Sequence, residues 1–230
     1  MIEIEEGAIF VADSHYPHHG DEFLDILQRV DSREISTSQL FLMGDNFDIL
    51  FGGNEYVKSV STKTREAIEL LNRISKKIDI YYFEGNHDFL LKDIFPHITI
   101  YPRGQQPQIF SLQGKRVGLS HGDRYGVDIK YELFSLILRS KLFLTILKPW
   151  GKEIIDDQIS KLTQKEICHP LAEFEERVDG ILSSYSDVDM VIEGHYHESK
   201  ILGSYISLPS LACQSKVAVV RGGRVVFVKI

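Results

Sequence analysis

The chain has 230 residues, of which 43% are hydrophobic, and its formal net charge is -7 at pH 7. This composition is sufficient for a full hydrophobic core and excludes a disordered or fibrous protein. The acidic balance disfavours a protein that holds nucleic acid on a basic surface, because phosphate neutralisation needs clustered lysine and arginine. No nucleic-acid partner is expected, and nothing in the sequence implies a protein partner.

The first residues and the apolar runs bear on location. The segment 1–6, MIEIEE, lacks the basic start and the apolar stretch of a secretory signal. Arg139 and Lys141 interrupt the longest apolar run, which therefore falls short of the roughly 18 residues needed to cross a bilayer. We expect a cytoplasmic protein that does not span a membrane.

Cys168 and Cys213 have no metal-like spacing, and both are expected to be reduced core thiols.

The first half of the chain alternates predicted strands with predicted helices, which is typical of an α/β fold. Apolar, β-rich runs predict strands at 8–12, 40–43 and 78–83, and helical patterns cover 22–30 and 62–77. Short strand-like runs follow at 98–101, 109–112 and 116–119. They are separated by glycine and proline, and this favours hairpins or a continuation of the sheet.

The second half begins with a helical pattern from residue 128 to about residue 185, with breaks at 149–151 and 168–170. A strand at 190–192 follows, and the chain closes with two valine-rich runs on either side of Gly222-Gly223, which predict a hairpin. We expect a single domain, 1–230, that carries a helical insertion at 128–188.

Five short polar clusters each follow a predicted strand. In chain order they are Asp13-Ser14-His15, Gly44-Asp45-Asn46-Phe47-Asp48, Gly85-Asn86-His87-Asp88, His121-Gly122-Asp123 and Gly194-His195-Tyr196-His197. Open α/β sheets bind ligands outside the carboxyl ends of their strands, so these clusters can converge although they span most of the sequence.

The residue types in the clusters predict a dinuclear transition-metal site. Carboxylate and amide oxygens suit hard divalent cations, whereas imidazole suits manganese, iron and zinc. Residues i and i+2 of a strand share a face, so Asp13 is expected beside His15 and His195 beside His197. Asp45 is the expected bridging ligand, because its two oxygens can contact two cations about 3.5 to 4 Å apart.

The pattern DxH, GDxxD, GNHD, a histidine loop and GHxH resembles that of the calcineurin-like metallophosphoesterases from about residue 9 to residue 201. The resemblance implies two packed mixed β-sheets flanked by helices. It also implies that Asp13, His15 and His197 bind one metal ion, that Asn86, His121 and His195 bind the other, and that Asp45 bridges them.

The implied reaction is in-line attack on phosphorus by a metal-activated hydroxide. His87 is the candidate catalytic residue, which would steady a phosphoryl oxygen or protonate the leaving oxygen; the alternative is a structural histidine. Asp48, Asp88 and Asp123 are interpreted as carboxylates that orient the ligands or cap turns.

The insertion carries the signals for a substrate. Residues 131–150 are strongly apolar, and 130–152 holds five basic residues and one acidic residue. A basic, apolar helix suits contact with a membrane surface. The same side chains could instead pack the insertion onto the sheets.

An insertion at this position, together with GNHDFLL at 85–91, resembles the UDP-2,3-diacylglucosamine pyrophosphohydrolases of lipid A biosynthesis. The resemblance implies two divalent metal ions, most consistent with manganese, and an acylated nucleotide-sugar substrate that is cleaved to lipid X and UMP. It also implies peripheral association with the cytoplasmic face of the inner membrane. Lys161 and Lys165, at i and i+4, are candidate contacts to substrate phosphate or nucleotide.

Three features depart from that subfamily: it usually has GNRD where this chain has His87, it has GHTHRP where this chain reads GHYHES at 194–199, and the match within the insertion is modest. The alternative is therefore a general phosphodiesterase or phosphatase for a soluble nucleotide or phosphoester. His18 and His19 follow the first cluster in a loop that can approach the site. His97 and His169 have no companion ligands, and both are interpreted as structural.

Overall fold

A computed structural model describes residues 1–52, 60–125, 129–140 and 171–230, together with 145, 157, 160–161 and 166–169. Thirteen strands lie in this part of the chain: β1 (Ile9–Val11), β2 (Gln39–Leu42), β3 (Leu50–Phe51), β4 (Asp79–Phe83), β5 (Asp88–Phe89), β6 (Thr99–Tyr101), β7 (Gln108–Leu112), β8 (Lys115–Ser120), β9 (Met190–Glu193), β10 (Lys200–Leu202), β11 (Tyr205–Ser207), β12 (Lys216–Arg221) and β13 (Arg224–Lys229). The α-helices of the same segments are α1 (Glu22–Asp31), α2 (Thr62–Ile74), α3 (Ile129–Leu138), α4 (Phe174–Ser183) and α5 (Leu211–Gln214).

The strands form two mixed sheets and a small two-stranded one. The first sheet has the order β13-β12-β1-β2-β4-β6, and the second has the order β10-β11-β9-β8-β7. Strands β1, β2, β4 and β6 run parallel, as do β8, β9 and β11. Parallel strands bring their carboxyl ends to one edge, so the polar residues that follow β1, β2 and β4 meet there.

The first sheet is buried on both faces because alternate side chains point to opposite sides. Ile9 and Val11 pack with residues of α1 and α2, whereas Phe10 points to the second sheet. The rings of Phe10 and Phe41 stack 4.5 Å apart, and Tyr81 continues the row 4.9 Å beyond Phe41. A third cluster lies behind the second sheet, where Phe174 and Val178 of α4 are buried. The prediction of two packed mixed sheets flanked by helices is confirmed.

The helices of the first half follow from local sequence. The buried residues of α1 recur at helical spacing: Phe23, Ile26, Leu27 and Val30. Helix α2 begins after Ser61, whose hydroxyl accepts a 3.1 Å hydrogen bond from the Thr64 amide. The predicted C-terminal hairpin is present as well, and Gly222 and Gly223 take φ angles of 56° and 68° in its turn.

Two helices, α3 and α4, fall inside the predicted insertion, and the rest of its helical pattern lies mostly outside the described residues, including the predicted break at 149–151. The division into one domain and an insertion stays a prediction. In the described segments, no helix is both long enough and apolar enough to span a bilayer.

The prediction of two reduced core thiols is wrong. Cys168 and Cys213 form a disulfide, with their Cα atoms 5.3 Å apart. Cys168 is exposed and Cys213 is half-buried. The two residues are 45 positions apart in sequence and meet because the segment 166–169 lies against α5, a tertiary contact that cysteine spacing does not encode.

Candidate metal centre

The polar clusters at the strand ends bring together two groups of side chains that could each hold a metal ion, here called the candidate metal-binding groups. Asp13, His15 and His197 make up the first group, and Asp45, His121 and His195 make up the second. Within each group, one oxygen or nitrogen atom per residue lies within 4.8 Å of the others. A set of carboxylates and imidazoles at this spacing fits a divalent transition-metal ion. Each group could therefore hold one cation.

Asn86 joins the second group, and Asp45 lies between the two. The Nε2 atom of His121 is 3.3 Å from Oδ1 of Asn86 and 3.4 Å from Oδ2 of Asp45. Asp45 is also close enough to His15, in the first group, to influence the pKa of that imidazole. A carboxylate that faces both groups is in the position that a bridging ligand needs.

Most of these residues have an unusual backbone conformation. The φ angles are 52° at Asp13, 43° at His15, 51° at Asp45, 65° at His195 and 56° at His197. Left-handed conformations are uncommon for residues other than glycine, and they cluster at functional sites. The expected strand alternation is therefore the wrong explanation for the pairs Asp13/His15 and His195/His197, although both pairs do reach the site.

Two glycines allow the polar loops to approach one another. A Cβ atom at Gly44 would lie 2.3 Å from Nδ1 of His121, and one at Gly85 would lie 2.2 Å from Oδ1 of Asp45. Real Cβ atoms do not come that close to a neighbour. The glycines before Asp45 and Asn86 are thus required by the packing of the site itself.

Backbone carbonyl groups fix the tautomers of two histidines. Nδ1 of His121 lies 2.8 Å from the carbonyl oxygen of Met43, and Nδ1 of His197 lies 3.1 Å from that of Ile167. A carbonyl only accepts hydrogen bonds, so Nδ1 carries the proton in each imidazole. Nε2 is then the atom that can bind a cation, in exchange for any proton that it carries.

The protonation states favour cation binding at three of these residues. Burial lowers the pKa of His15 to about 3, and burial together with His121 lowers the pKa of His195 to about 4. Burial alone would raise the pKa of Asp45, but His121 and His87 hold it well below its usual range. Two neutral imidazoles and an ionised carboxylate are therefore present near neutral pH, and these are the forms that bind metal.

A buried carboxylate, Asp88, holds two of the loops together. It accepts hydrogen bonds from the amides of Gly85 (2.9 Å), Asp45 (3.0 Å) and Asn46 (2.7 Å) and from the hydroxyl of Tyr82 (2.6 Å). These contacts agree with its interpretation as an orienting carboxylate.

Asp48 and Asp123 are also buried and paired. Asp48 lies 2.7 Å from Nδ1 of His18, and Asp123 lies 2.9 Å from Nε of Arg103. The rings of His19 and His15 are 5.8 Å apart, so the loop of His18 and His19 does approach the site.

A family comparison agrees with this geometry. The family model of the calcineurin-like phosphoesterases matches residues 8–199, which include every residue of the two groups. The chain belongs to this family. It is accordingly a metal-dependent hydrolase.

Among curated proteins, this phosphoesterase is similar to two that are named UDP-2,3-diacylglucosamine hydrolase. The one from Histophilus somni (strain 129Pt) is 27% identical over 206 residues, which is 84% of each chain. The one from Blochmanniella pennsylvanica is 25% identical over 211 residues, which is 86% of this chain and 82% of the relative. A solved structure, the nuclease MPE of Pseudomonas putida, aligns with a TM-score of 0.41 at 15% identity over 96% of this chain and 87% of that one. Similarity at that level supports no functional inference.

In this phosphoesterase the two groups face a cleft of about 240 Å³. Part of the lining comes from residues of both groups and from Asn86 and His87. The rest of the lining, which we call the cleft wall, consists of Glu166, Ile167, His169, Leu171, Arg177 and Tyr196. His169 was interpreted as structural, but it lines the cleft. The sequence patterns did not indicate Glu166 or Arg177 as cleft residues.

The wall is held in place by tertiary contacts. The disulfide fixes residue 168, and the amide of Leu171 donates a 2.7 Å hydrogen bond to Oε1 of Glu198. Glu198 is one of the residues at 194–199 that depart from the subfamily pattern. No local motif signals such contacts.

The remaining predicted residues lie away from the cleft or outside the described residues. Lys161 pairs with Asp157 at 2.6 Å and does not line the cleft, so its role as a substrate contact stays a prediction. Lys165 lies outside the described residues. His97 is exposed and does not line the cleft.

Proposed function

We propose that this phosphoesterase hydrolyses the pyrophosphate bond of UDP-2,3-diacylglucosamine to give lipid X and UMP, with two divalent transition-metal ions, preferably manganese. The observation that carries the proposal is the pair of candidate metal-binding groups at one cleft, in which Asp45 of the second group lies close enough to His15 of the first to influence its pKa. The names of the curated relatives supply the substrate. Identities of 25–27% support the reaction class more strongly than the substrate.

The proposed ligand sets follow the two groups. Asp13, His15 and His197 would hold one cation, Asn86, His121 and His195 the other, and Asp45 both. When bound, two divalent cations supply Lewis acidity and activate water for attack on phosphorus. The protein's own contribution is to fix the orientation of the ligands, through the carbonyls that hold His121 and His197 and through Asp88.

His87 is the proposed proton donor or phosphoryl contact. Its Nδ1 atom is 2.8 Å from the carbonyl oxygen of Asp48, so Nδ1 carries a proton. Nε2 lies 4.0 Å from Oδ2 of Asp45, and the imidazole lines the cleft. The proton that His87 gains or loses is therefore on Nε2, which is the atom directed to the metal-binding side chains.

An exposed apolar surface on α3 supports an acylated substrate. Leu133, Leu136 and Ile137 have exposed fractions of 60%, 61% and 44%. Their i, i+3, i+4 spacing places them on one side of the helix. Acyl chains or a lipid surface would remove this area from water. We propose peripheral association with the cytoplasmic face of the inner membrane on the same grounds.

The second candidate is a phosphodiesterase or phosphatase that acts on a soluble nucleotide or phosphoester. The small cleft volume, about 240 Å³, favours it, because that space holds a phosphoryl group and only part of a larger ligand.

The test compares UDP-2,3-diacylglucosamine with unacylated UDP-N-acetylglucosamine and with bis(p-nitrophenyl) phosphate, using manganese-loaded protein. The proposal expects UMP release from the acylated substrate and little from the unacylated one. A matched variant pair separates acyl recognition from chemistry. The double change Leu133→Ser and Leu136→Ser should raise KM for the acylated substrate only, whereas Ile201→Ser, at an exposed residue of strand β10, should leave that KM unchanged. Turnover of the generic diester with no cleavage of the acylated substrate would favour the second candidate.

A further inference from the structure

Arg177 is a cationic side chain in the wall of the cleft. It lies near the start of α4, is exposed, and lines the same cleft as His195 and His197. Within the part of the chain that the structure describes, no carboxylate oxygen lies within 4.0 Å of its guanidinium. Glu166, on the same wall, is therefore not its ion-pair partner. The guanidinium remains available to an anion in the cleft.

An aromatic ring holds this guanidinium close to the second metal-binding group. The Cζ atom of Arg177 is 6.0 Å from the centre of the Tyr196 ring, and that ring centre is 5.2 Å from the ring of His195. Tyr196 is itself fixed, since its hydroxyl donates a 3.1 Å hydrogen bond to the Gly122 carbonyl and its ring packs 5.4 Å from Phe174. The Arg177 side chain also hydrogen-bonds that of Tyr196. Contact with the ring restricts the motion of the guanidinium, and its five N–H donors include others that can bind an anion.

The position of Arg177 matches the chemistry of a diphosphate. In a P–O–P linkage, the phosphoryl group under attack must lie at the two metal-binding groups, and its neighbour carries a second negative charge that needs a partner. A planar guanidinium can bind two phosphate oxygens at once, which gives it both affinity and orientation for such a group.

We propose that Arg177 is a specificity-determining residue that binds the phosphoryl group that is not attacked. The inference rests on the proposed function, because it assumes a substrate with a diphosphate linkage. Arg177 thereby selects diphosphate-linked substrates over simple phosphodiesters. It contributes little to the hydrolysis of a diester that has one phosphorus atom.

Direct binding tests the inference without turnover. Calorimetry with manganese-loaded protein compares UMP with α,β-methylene-UDP, a diphosphate that cannot be hydrolysed at its bridge. Wild-type protein is expected to bind the diphosphate about 10- to 100-fold more tightly than UMP, as for a charged hydrogen bond. Arg177→Ala should bring the ratio close to one, and Arg177→Lys should keep part of it. Arg224→Ala removes an exposed arginine from the C-terminal hairpin and should leave the ratio unchanged.

Three results would overturn the inference: equal binding of the two nucleotides to wild-type protein, an unchanged ratio in Arg177→Ala, or a parallel loss of bis(p-nitrophenyl) phosphate hydrolysis in that variant. The last would place Arg177 on the attacked phosphorus. Manganese content is measured in each variant to establish that the metal centre is intact.

Kinetics with UDP-2,3-diacylglucosamine separate the two proposals. If the compound is cleaved and Arg177→Ala leaves its KM unchanged, the inference fails and the proposed function stands. If the compound is not cleaved but the binding ratio falls in the variant, the proposed function fails and the diphosphate contact stands.

Discussion

Arg103 donates a 2.9 Å hydrogen bond from Nε to Oδ2 of Asp123, and both side chains are buried. The same guanidinium bonds both carboxylate oxygens of Glu132 in α3, at 2.8 and 2.6 Å. Arg103 thus connects the loop that follows β8, and with it His121, to the first helix after that loop.

The first prediction concerns this connection. Arg103→Met should lower the free energy of unfolding by about 3 kcal/mol, because it leaves the buried Asp123 carboxylate without its closest cation. Arg139, 3.3 Å from Asp123, limits the loss. Urea denaturation measures the loss in the free energy of unfolding. Glu132→Gln is the control and should cost less than about 1 kcal/mol, since the Glu132 side chain is 40% exposed. Equal losses of unfolding free energy in the two variants would show that the buried pair Arg103–Asp123 contributes no more than the exposed pair Arg103–Glu132.

The sequence was sufficient to predict the parts of the site that are local. Each polar cluster follows a strand, and parallel strands bring their ends together, so Asp13, Asp45 and His121 could be assigned to one region without coordinates. The reason for their final positions was not local. Left-handed φ angles and the close approach of Gly44 and Gly85 depend on neighbouring loops, and strand alternation was therefore the wrong explanation for the paired ligands.

The cleft wall could not be predicted for a similar reason. Residues 166–169 and Arg177 reach the cleft through a disulfide, a contact from Glu198 and the packing of Tyr196, which join segments far apart in sequence. Spacing rules for cysteine and histidine address neighbours along the chain, and neither Cys168 nor His169 has a suitable neighbour.

The backbone at Gly85 lies so close to the Asp45 side chain that no other residue fits there. Gly85→Ala places a Cβ atom 2.2 Å from Oδ1 of Asp45, so the carboxylate must move. A displacement of this kind should reduce turnover at least about 100-fold, with loss of bound metal. Metal analysis and steady-state kinetics measure both effects. Gly104→Ala is the control, because a Cβ atom there meets nothing within 4 Å. Normal metal content in Gly85→Ala would show that the loops can adjust.

The acid–base properties of the ligands predict how metal affinity depends on pH. Although burial opposes the shift, Asp45 raises the pKa of His121 well above its usual value, and Asp13 raises the pKa of His197. Both imidazoles are protonated in the metal-free protein at about pH 6, and each cation must displace one proton. His15 and His195 release none, because their pKa values are about 3 and about 4. Affinity should therefore rise with pH.

Calorimetry in buffers of different ionisation enthalpy tests this count at about pH 6 and should give about one proton released per bound cation. His121→Gln removes one of the two titrating groups and should lower the release accordingly. Binding without proton release in the unaltered protein would contradict the raised pKa values.

The disulfide anchors the segment of the cleft wall whose Ile167 carbonyl orients His197. Cys213→Ser frees the segment that contains Ile167, whose carbonyl fixes His197. The variant should be less stable by about 2–4 kcal/mol and should bind metal more weakly. A reductant should reproduce the change in wild-type protein and should have no further effect on the variant. Because disulfides persist mainly in oxidising compartments, thiol trapping in cells also tests the cytoplasmic location.

The position of Asp45 between the two groups makes its removal different from that of any other ligand. Asp45→Asn keeps the size of the side chain and removes the charge that faces both His15 and His121. Both cations should be lost, and hydrolysis of every phosphoester with them. Asp13→Asn is the matched change in the first group alone, where Oδ1 lies 3.4 Å from Nε2 of His197, and it should leave about one cation in the second group. Metal analysis after dialysis against a defined manganese concentration distinguishes the two variants. Retention of one cation by Asp45→Asn would show that the carboxylate serves a single group, and the bridging assignment would then be wrong.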